Sequence, residues 1–203
     1  MKTVAGLFDN YNDASAAVSA LEARGIPSED ISIVSNNADN RHRHEDNDNG
    51  AAEGAGAGAG IGAVVGGAGG LLTGLGIMAI PGVGPVVAAG WLAATAAGAI
   101  AGAVAGGAAG GLIGALTDSG VSEDEAHVYA EGVRRGGTLV TARVDDGMEA
   151  EAEAILKQSN RVDAMARREA YSEQGWTKFD HSADPYGPAE IEQERDRYRV
   201  RTL

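Results

Sequence analysis

The chain has 203 residues, a net charge of −13 at pH 7 and no cysteine, which allows one or two modest domains and excludes disulfides, thiolate chemistry and cysteine-ligated metal. Both ends are acidic: residues 1–53 carry 10 acids and 4 bases, and residues 118–203 carry 19 acids and 12 bases. That balance argues against nucleic acid as the main partner and against a polybasic hold on anionic lipid.

The opening Met1-Lys2-Thr3-Val4-Ala5-Gly6 has no apolar signal core, so no secretory signal is expected. Residues 2–8 read as a strand that is apolar on both faces, with Val4, Gly6 and Phe8 alternating with Thr3, Ala5 and Leu7. A turn at Asp9-Asn10-Tyr11-Asn12 follows, with Asn12 as the expected N-cap. A helix is predicted over residues 13–24, with Ala14, Ala17, Val18 and Leu21 on one face and Gly25 at the C-terminal cap. Residues 31–34 then form a second strand, and the helix between the two is long enough for a right-handed parallel crossover. Residues 36–53 change character to Asn, Asp, Glu, Arg and His, which predicts a solvated linker.

Residues 54–117 contain no charge: the 64 positions hold 21 Gly, 19 Ala, 19 larger apolar side chains, three Thr and two Pro. Both prolines lie in Pro81-Gly82-Val83-Gly84-Pro85, which reads as a tight reversal between two long helices, residues 54–80 and 86–117. Either arm exceeds the roughly 20 residues a helix needs to cross a bilayer. Gly54, Gly58, Gly62, Gly66, Gly70 and Gly74 in the first arm, and Gly90, Ala94, Gly98, Gly102, Gly106, Gly110 and Gly114 in the second, repeat at four-residue steps. Such a strip of small residues lets two helices approach closely. In water each helical Gly costs about 1 kcal/mol relative to Ala, so lipid or an oligomer interior must compensate. Leu71, Leu72, Leu75, Ile77, Met78 and Ile80 favour a buried turn end. Trp91 fits either an interfacial belt or a core aromatic. The large side chains off the strip, Val64, Val65, Leu71, Leu72, Leu75, Ile100, Val104, Leu112 and Ile113, call for lipid or other copies of the chain as cover.

After the hairpin, Ser122 and Glu125 form a capping box for a helix over residues 123–135 that ends at Gly136-Gly137. Residues 138–144 read as a strand, 148–158 as a helix and 161–165 as a last short strand. Residues 166–203 read as a polar tail whose Tyr171, Trp176, Phe179, Tyr186 and Tyr198 anchor it to its own domain or a neighbour's. Within it a short charged helix is predicted over residues 190–201, preceded by Pro188.

No catalytic constellation emerges, and no catalytic, cofactor or metal residue is assigned. His42 and His44 with Glu45, Asp46 and Asp48 are a weak divalent-metal candidate, outweighed by a hydrated linker. His127, flanked one turn away by Glu123 and Glu131, is a weak metal or proton-transfer candidate, outweighed by a solvated helix face. Asp145-Asp146 is explained as a turn, and the Gly-x-Gly strings of residues 54–62 lack the strand and the acidic residue of a dinucleotide site.

Val4-Ala5-Gly6-Leu7-Phe8, residues 14–21 and Gly25-Ile26 resemble the general stress protein 17M-like domain of bacteria. So do Gly136-Gly137-Thr138-Leu139-Val140 and Val144-Asp145. The glycine-rich middle is similar to that of low-temperature-induced and heat-induced proteins with this domain. The tail pattern Gly175-Trp176-Thr177-Lys178-Phe179-Asp180, Pro185-Tyr186 and Glu190-Ile191 resembles tails in the same group. The resemblance implies stress-linked expression and no activity, cofactor or catalytic residue.

The expected architecture is a small split ferredoxin-like α/β domain, residues 1–35 and 118–165. An acidic linker (36–53) and a glycine-zipper helical hairpin (54–117) interrupt it, and a tail (166–203) follows. The expected function is structural and non-enzymatic: the hairpin drives self-assembly in or on a membrane, with lipid and other copies as partners and the α/β head on the cytoplasmic side. The alternatives are a soluble homo-oligomer with a buried hairpin core, or a weak metal-binding protein or enzyme.

Overall fold

A computed structural model describes residues 1–38, 76–96 and 111–199. The linker candidates His42, His44, Glu45, Asp46 and Asp48, and the zipper positions from Gly54 to Gly74 and from Gly98 to Gly110, lie outside the described residues.

The fold is mixed α/β. In chain order the elements are β1 (Lys2–Phe8), α1 (Tyr11–Ala23), β2 (Ile31–Asn36), β3 (Gly76–Ile80), β4 (Gly84–Gly90), a helical start over residues 91–96, α2 (Gly111–Asp118), α3 (Glu123–Arg134), β5 (Thr138–Val144), α4 (Glu149–Gln158), α5 (Ala164–Ser172) and α6 (Pro188–Arg199). The five strands form one sheet in the order β1-β5-β2-β4-β3, and every pairing is antiparallel. β1 and β2 run parallel to each other, as the helical crossover predicts, but they do not touch. β5 slots between them, pairing Lys2–Phe8 in reverse against Val144–Thr138 on one side and Ile31–Ser35 on the other.

The alternation of apolar side chains on both faces of β1 puts the sheet between two helical layers. Val4 and Phe8 join Ile31, Ile33, Val140 and Ala142 under α1 and α4, where Ala14, Val18, Leu21, Ala152 and Leu156 are buried. Ala5, Leu7, Val34 and Leu139 join Val86, Ala88 and Leu92 on the opposite face, beneath α2 and α3. Local signals set the helix ends. Asn10, rather than Asn12, caps α1: its Oδ1 accepts the Asp13 backbone N–H at 2.8 Å. At the far end of α1, Ile26 N–H bonds back to Leu21 O at 3.2 Å, closing the glycine cap. Ser122 Oγ accepts from Glu125 N–H at 3.3 Å and bonds the Glu125 carboxylate at 2.6 Å, so the capping box forms.

Two expected elements are replaced by others. The stretch around Pro81 is a β-hairpin, not the tip of a helical one. β3 and β4 pair from Gly76↔Ala88 to Ile80↔Gly84, and the turn closes through Val83 N–H to Ile80 O at 3.0 Å. β4 pairs with β2 from Ser32↔Gly90 to Asn36↔Val86. β2 would otherwise leave its outer backbone groups unpaired, and the β-branched residues Val86, Val87, Ile77 and Ile80 suit a pleated surface. Gly90, the first step of the supposed second zipper register, has φ +90. It is not helical: a Cβ there would overlap the Ile31 carbonyl oxygen and sit 2.8 Å from Ser32 Cα. Leu112, expected to need lipid or another copy, is 2% exposed inside this domain's own core, and Ile113 packs against the same core.

Residues 161–165 are not a strand. Val162 N–H makes one backbone bond to Leu7 O at 2.8 Å, and Asp163 then caps α5 by accepting the Ala166 N–H at 2.9 Å. A capping aspartate at that position starts a helix instead. The segment after residue 166 lies over its own domain, one of the two placements its aromatics predict, with α5 and α6 packed against α3.

The hairpin result bears on the membrane. A spanning hairpin carries its turn to the far side of the bilayer from its head. Here the turn's own strand pairs with β2 of the head, so the two share one sheet. Among the described residues no helix is long and apolar enough to cross a membrane.

Candidate functional site

Among the described residues the sheet has two edges of different chemistry. β1 begins at Lys2, and the N-terminal ammonium beside it lies 3.7 Å from Asp146 Oδ1. β3 carries no charge: its sequence is Gly-Ile-Met-Ala-Ile, its first four residues are exposed or half-buried, and Ile77 is 61% exposed. Native edges are normally blunted with charge, proline or cover. Ile80, at the end of β3, is buried, as the sequence reading of a buried turn end expects, while Ile77 is not.

The turn beyond β3 is covered by the C-terminal segment. A Cβ on Gly82 would lie 2.6 Å from His181 Cα, and one on Gly84 2.8 Å from Pro185 Cβ, so the segment crosses the turn where only hydrogen occupies these positions. α6 then returns across the end of α3. Its Ile191 packs on Gly136, and Arg195 donates to Gly136 O at 3.0 Å. Phe179 enters the core beside Ile80 and Val83.

A buried charged cluster latches this strap. Glu131, 0% exposed, accepts from Arg135 Nε at 2.6 Å. Arg135 also donates to Gln174 Oε1 at 2.6 Å and to Glu194 Oε1 at 3.3 Å. Its guanidinium lies 4.2 Å from the Tyr171 ring centre. Arg167 makes a bidentate pair with Asp9 at 2.8 and 2.9 Å and stacks 3.7 Å over the Tyr198 ring. Burial is the largest influence on Arg167 and works against its charge, but the Asp9 hydrogen bond together with the fields of Asp9 and Tyr171 outweighs it, and its pKa is raised. Burial pushes the Tyr171 hydroxyl up, well above the ordinary tyrosine range. Tyr171 also meets Trp176 edge-on at 5.7 Å, and Arg134 lies 5.0 Å from the Tyr186 ring.

Of the five aromatics marked in the sequence as anchors, Tyr171, Phe179 and Tyr186 reach their own domain directly, while Trp176 and Tyr198 pack on Tyr171 and Arg167. Of their charged partners, Arg135, Arg167 and Glu194 escaped sequence reasoning, and Glu131 entered it only as a flank of His127. Each sits in a polar stretch that reads as a solvated helix face, and only the packing of α6 and α5 against α3 buries it.

The weak chemical candidates do not converge. His127 Nε2 is 3.8 Å from Glu123 Oε1, as their spacing predicts, but Glu131 turns away into the latch. Asp146 pairs with the N-terminus, while Asp145 precedes the short 3-10 turn Asp146–Met148. Trp91 is a domain aromatic, not a membrane belt: its Nε1 donates to Asp30 O at 3.1 Å, and Arg143 lies 5.0 Å from its ring centre. Among the described residues no three His, Asp or Glu side chains group closely enough to hold a metal ion.

Fold and strap define a class: an α/β sandwich with an inserted β-hairpin at one sheet edge, locked by its own C-terminal segment. Residues 3–81, which include β1, α1, β2 and β3, match the family model of the Heat induced stress protein YflT domain, in line with the resemblance to stress proteins. That match marks the chain as stress-associated. No curated protein and no solved structure matches it.

Proposed function

We propose that this is a structural, non-enzymatic stress-associated protein that self-assembles into homo-oligomers, with β3 of one copy pairing against β3 of another. The carrying observation is the uncharged outer edge with its exposed Ile77. Antiparallel pairing of two such edges meets no like-charge repulsion, satisfies outward backbone groups and buries Ile77 from both sides. This reading favours assembly in water over the spanning hairpin, because the turn is tied into the head's sheet. A cytoplasmic-facing membrane form is its rival.

The test is sizing of full-length protein by light scattering, with and without detergent, alongside carbonate-washed membrane fractions. The expected result is a uniform oligomer in detergent-free buffer that dissociates on Ile77→Lys, a substitution at an exposed site that leaves the monomer folded. A wild-type monomer, or an oligomer indifferent to Ile77→Lys, would falsify edge pairing. Retention in washed membranes transfers the assembly to the bilayer. A tightly held stoichiometric metal lost on His127→Ala would restore the metal-binding alternative.

A further inference from the structure

The open edge of the sheet carries enough main-chain geometry to fix how two copies meet on it. An extended strand turns its N–H and C=O groups to alternate sides, residue by residue. One bond sets the phase of that alternation in β4. Asn37 N–H donates to Pro85 O at 2.8 Å, so Pro85, and with it Val87 and Ala89, face β2. Gly84, Val86 and Ala88 therefore face β3, where they meet Ile80, Met78 and Gly76. The register between the two strands runs unbroken, so Ile77 and Ala79 are the residues of β3 whose backbone faces outward. Their outward N–H and C=O groups have no partner among the described residues.

The opposite edge is already occupied. Asn36 N–H donates to Gly137 O at 3.3 Å, and the same alternation carried through β5 leaves Thr3, Ala5 and Leu7 facing outward on β1. Val162 N–H takes Leu7 O at 2.8 Å, and Arg161 takes Ala5 O at 3.3 Å. Arg161 also lies across the strand, since its Cδ stands 2.9 Å from where a Cβ on Gly6 would be. β1 thus offers no continuous run for a strand of another copy.

The β3 edge is complementary to itself in one register. About a two-fold axis through Met78, Ile77 of one copy lies opposite Ala79 of the other, and the reverse. Each of these pairs exchanges both of its main-chain bonds, so every outward group of both edges is satisfied. The side chains agree: Ile77 and Ala79 share the sheet face of Val87, large set beside small across the axis, while Met78 meets its counterpart on the other face. A one-residue slip sets outward groups against inward ones. A two-residue slip one way sets Ile77 against Pro81, which has no N–H to give, and the other way carries Ala79 past the start of its partner's β3.

We propose that the assembly is a closed dimer whose two β3 strands pair antiparallel about a two-fold axis at Met78. This rests on the edge pairing proposed above and adds its register and its limit. Pairing consumes the open edge of both copies, and each end of the joined sheet is then a β1 strand covered by residues 161–162, so no third copy adds.

Single-cysteine variants of the full-length chain, which has no cysteine of its own, test the register. Residues directly opposed in a pair without hydrogen bonds have Cα atoms about 4.5 Å apart, within disulfide reach, whereas diagonal neighbours lie about 7–8 Å apart, beyond it. Met78→Cys should therefore form a covalent dimer under mild oxidation at least about 10-fold faster than Ile77→Cys or Ala79→Cys. Amide hydrogen exchange on the unmodified chain gives a second reading. The Ala79 N–H should be protected in the assembly and exchange about 10-fold faster or more in Ile77→Lys. The scattering mass should hold at two chains as concentration rises. Faster cross-linking of Ile77→Cys, equal rates at all three positions, an unprotected Ala79 N–H in the assembled protein, or a mass that grows past two chains each overturn the proposal. They do so even where Ile77→Lys dissociates the assembly and edge pairing itself stands; a wild-type monomer removes edge pairing and this register together.

Discussion

Gly90→Ala separates the two readings of the chain's centre by the sign of its effect. If Gly90 opened a zipper helix, alanine would stabilise the protein by about 1 kcal/mol through helix propensity. In the structure Gly90 ends β4 at φ +90, paired with Ser32. An L-residue in a left-handed conformation costs about 1–2 kcal/mol. The new Cβ also overlaps Ile31 O and stands 2.6 Å from Ser32 Oγ. That oxygen accepts the Leu92 N–H at 2.8 Å, so pushing it aside costs a buried hydrogen bond, about 1 kcal/mol more. The sum is a loss of about 2–3 kcal/mol. With a urea dependence of about 2 kcal/mol per molar for a domain of this size, the midpoint should fall by about 1–1.5 M. Equilibrium urea unfolding followed by tryptophan fluorescence measures it, with Trp91 adjacent to the substitution. An unchanged or raised midpoint would refute the strand assignment.

Two further outcomes follow from the packing. Leu112→Ala should cost about 2–4 kcal/mol in the same urea assay under monomeric conditions, because Leu112 sits in the domain's own core; a lipid-facing or oligomer-facing leucine would leave that value untouched. All five tyrosines have raised pKa values, with burial the leading cause in each. Each therefore contributes stability that is complete below the ordinary value of about 10 and is lost as pH rises through the folded-state values. An alkaline absorbance titration should show the buried Tyr129 and Tyr171 ionising only with loss of the near-ultraviolet circular dichroism. Complete ionisation near pH 10 in a still-folded protein would contradict the buried Tyr171 latch.

Much of the outer framework was legible in the chain. The alternation in residues 2–8, the apolar face of Ala14, Ala17, Val18 and Leu21, and the Ser122 capping box are local patterns with local causes. They identified β1, α1, β2, α3, β5 and α4 without long-range knowledge. The tail aromatics were legible as anchors for the same reason: large apolar rings in a polar segment need a place to go.

The central hairpin and the latch belong to the tertiary structure. A four-residue spacing of glycine is compatible with a helix, but short runs such as Gly-Ile-Met-Ala-Ile and Pro-Val-Val-Ala-Ala do not distinguish strand from buried helix by periodicity. The open side of β2 decides between them, because its backbone groups need partners and β4 supplies them. Likewise Glu131, Arg135, Arg167 and Glu194 resemble solvated charges along their helices, and the folding of α5 and α6 against α3 turns them into a buried network. Sequence by itself determined the elements whose stability is local. The partners that non-local elements found, and hence which charges and which glycines were buried, were decided only when the strands and helices met.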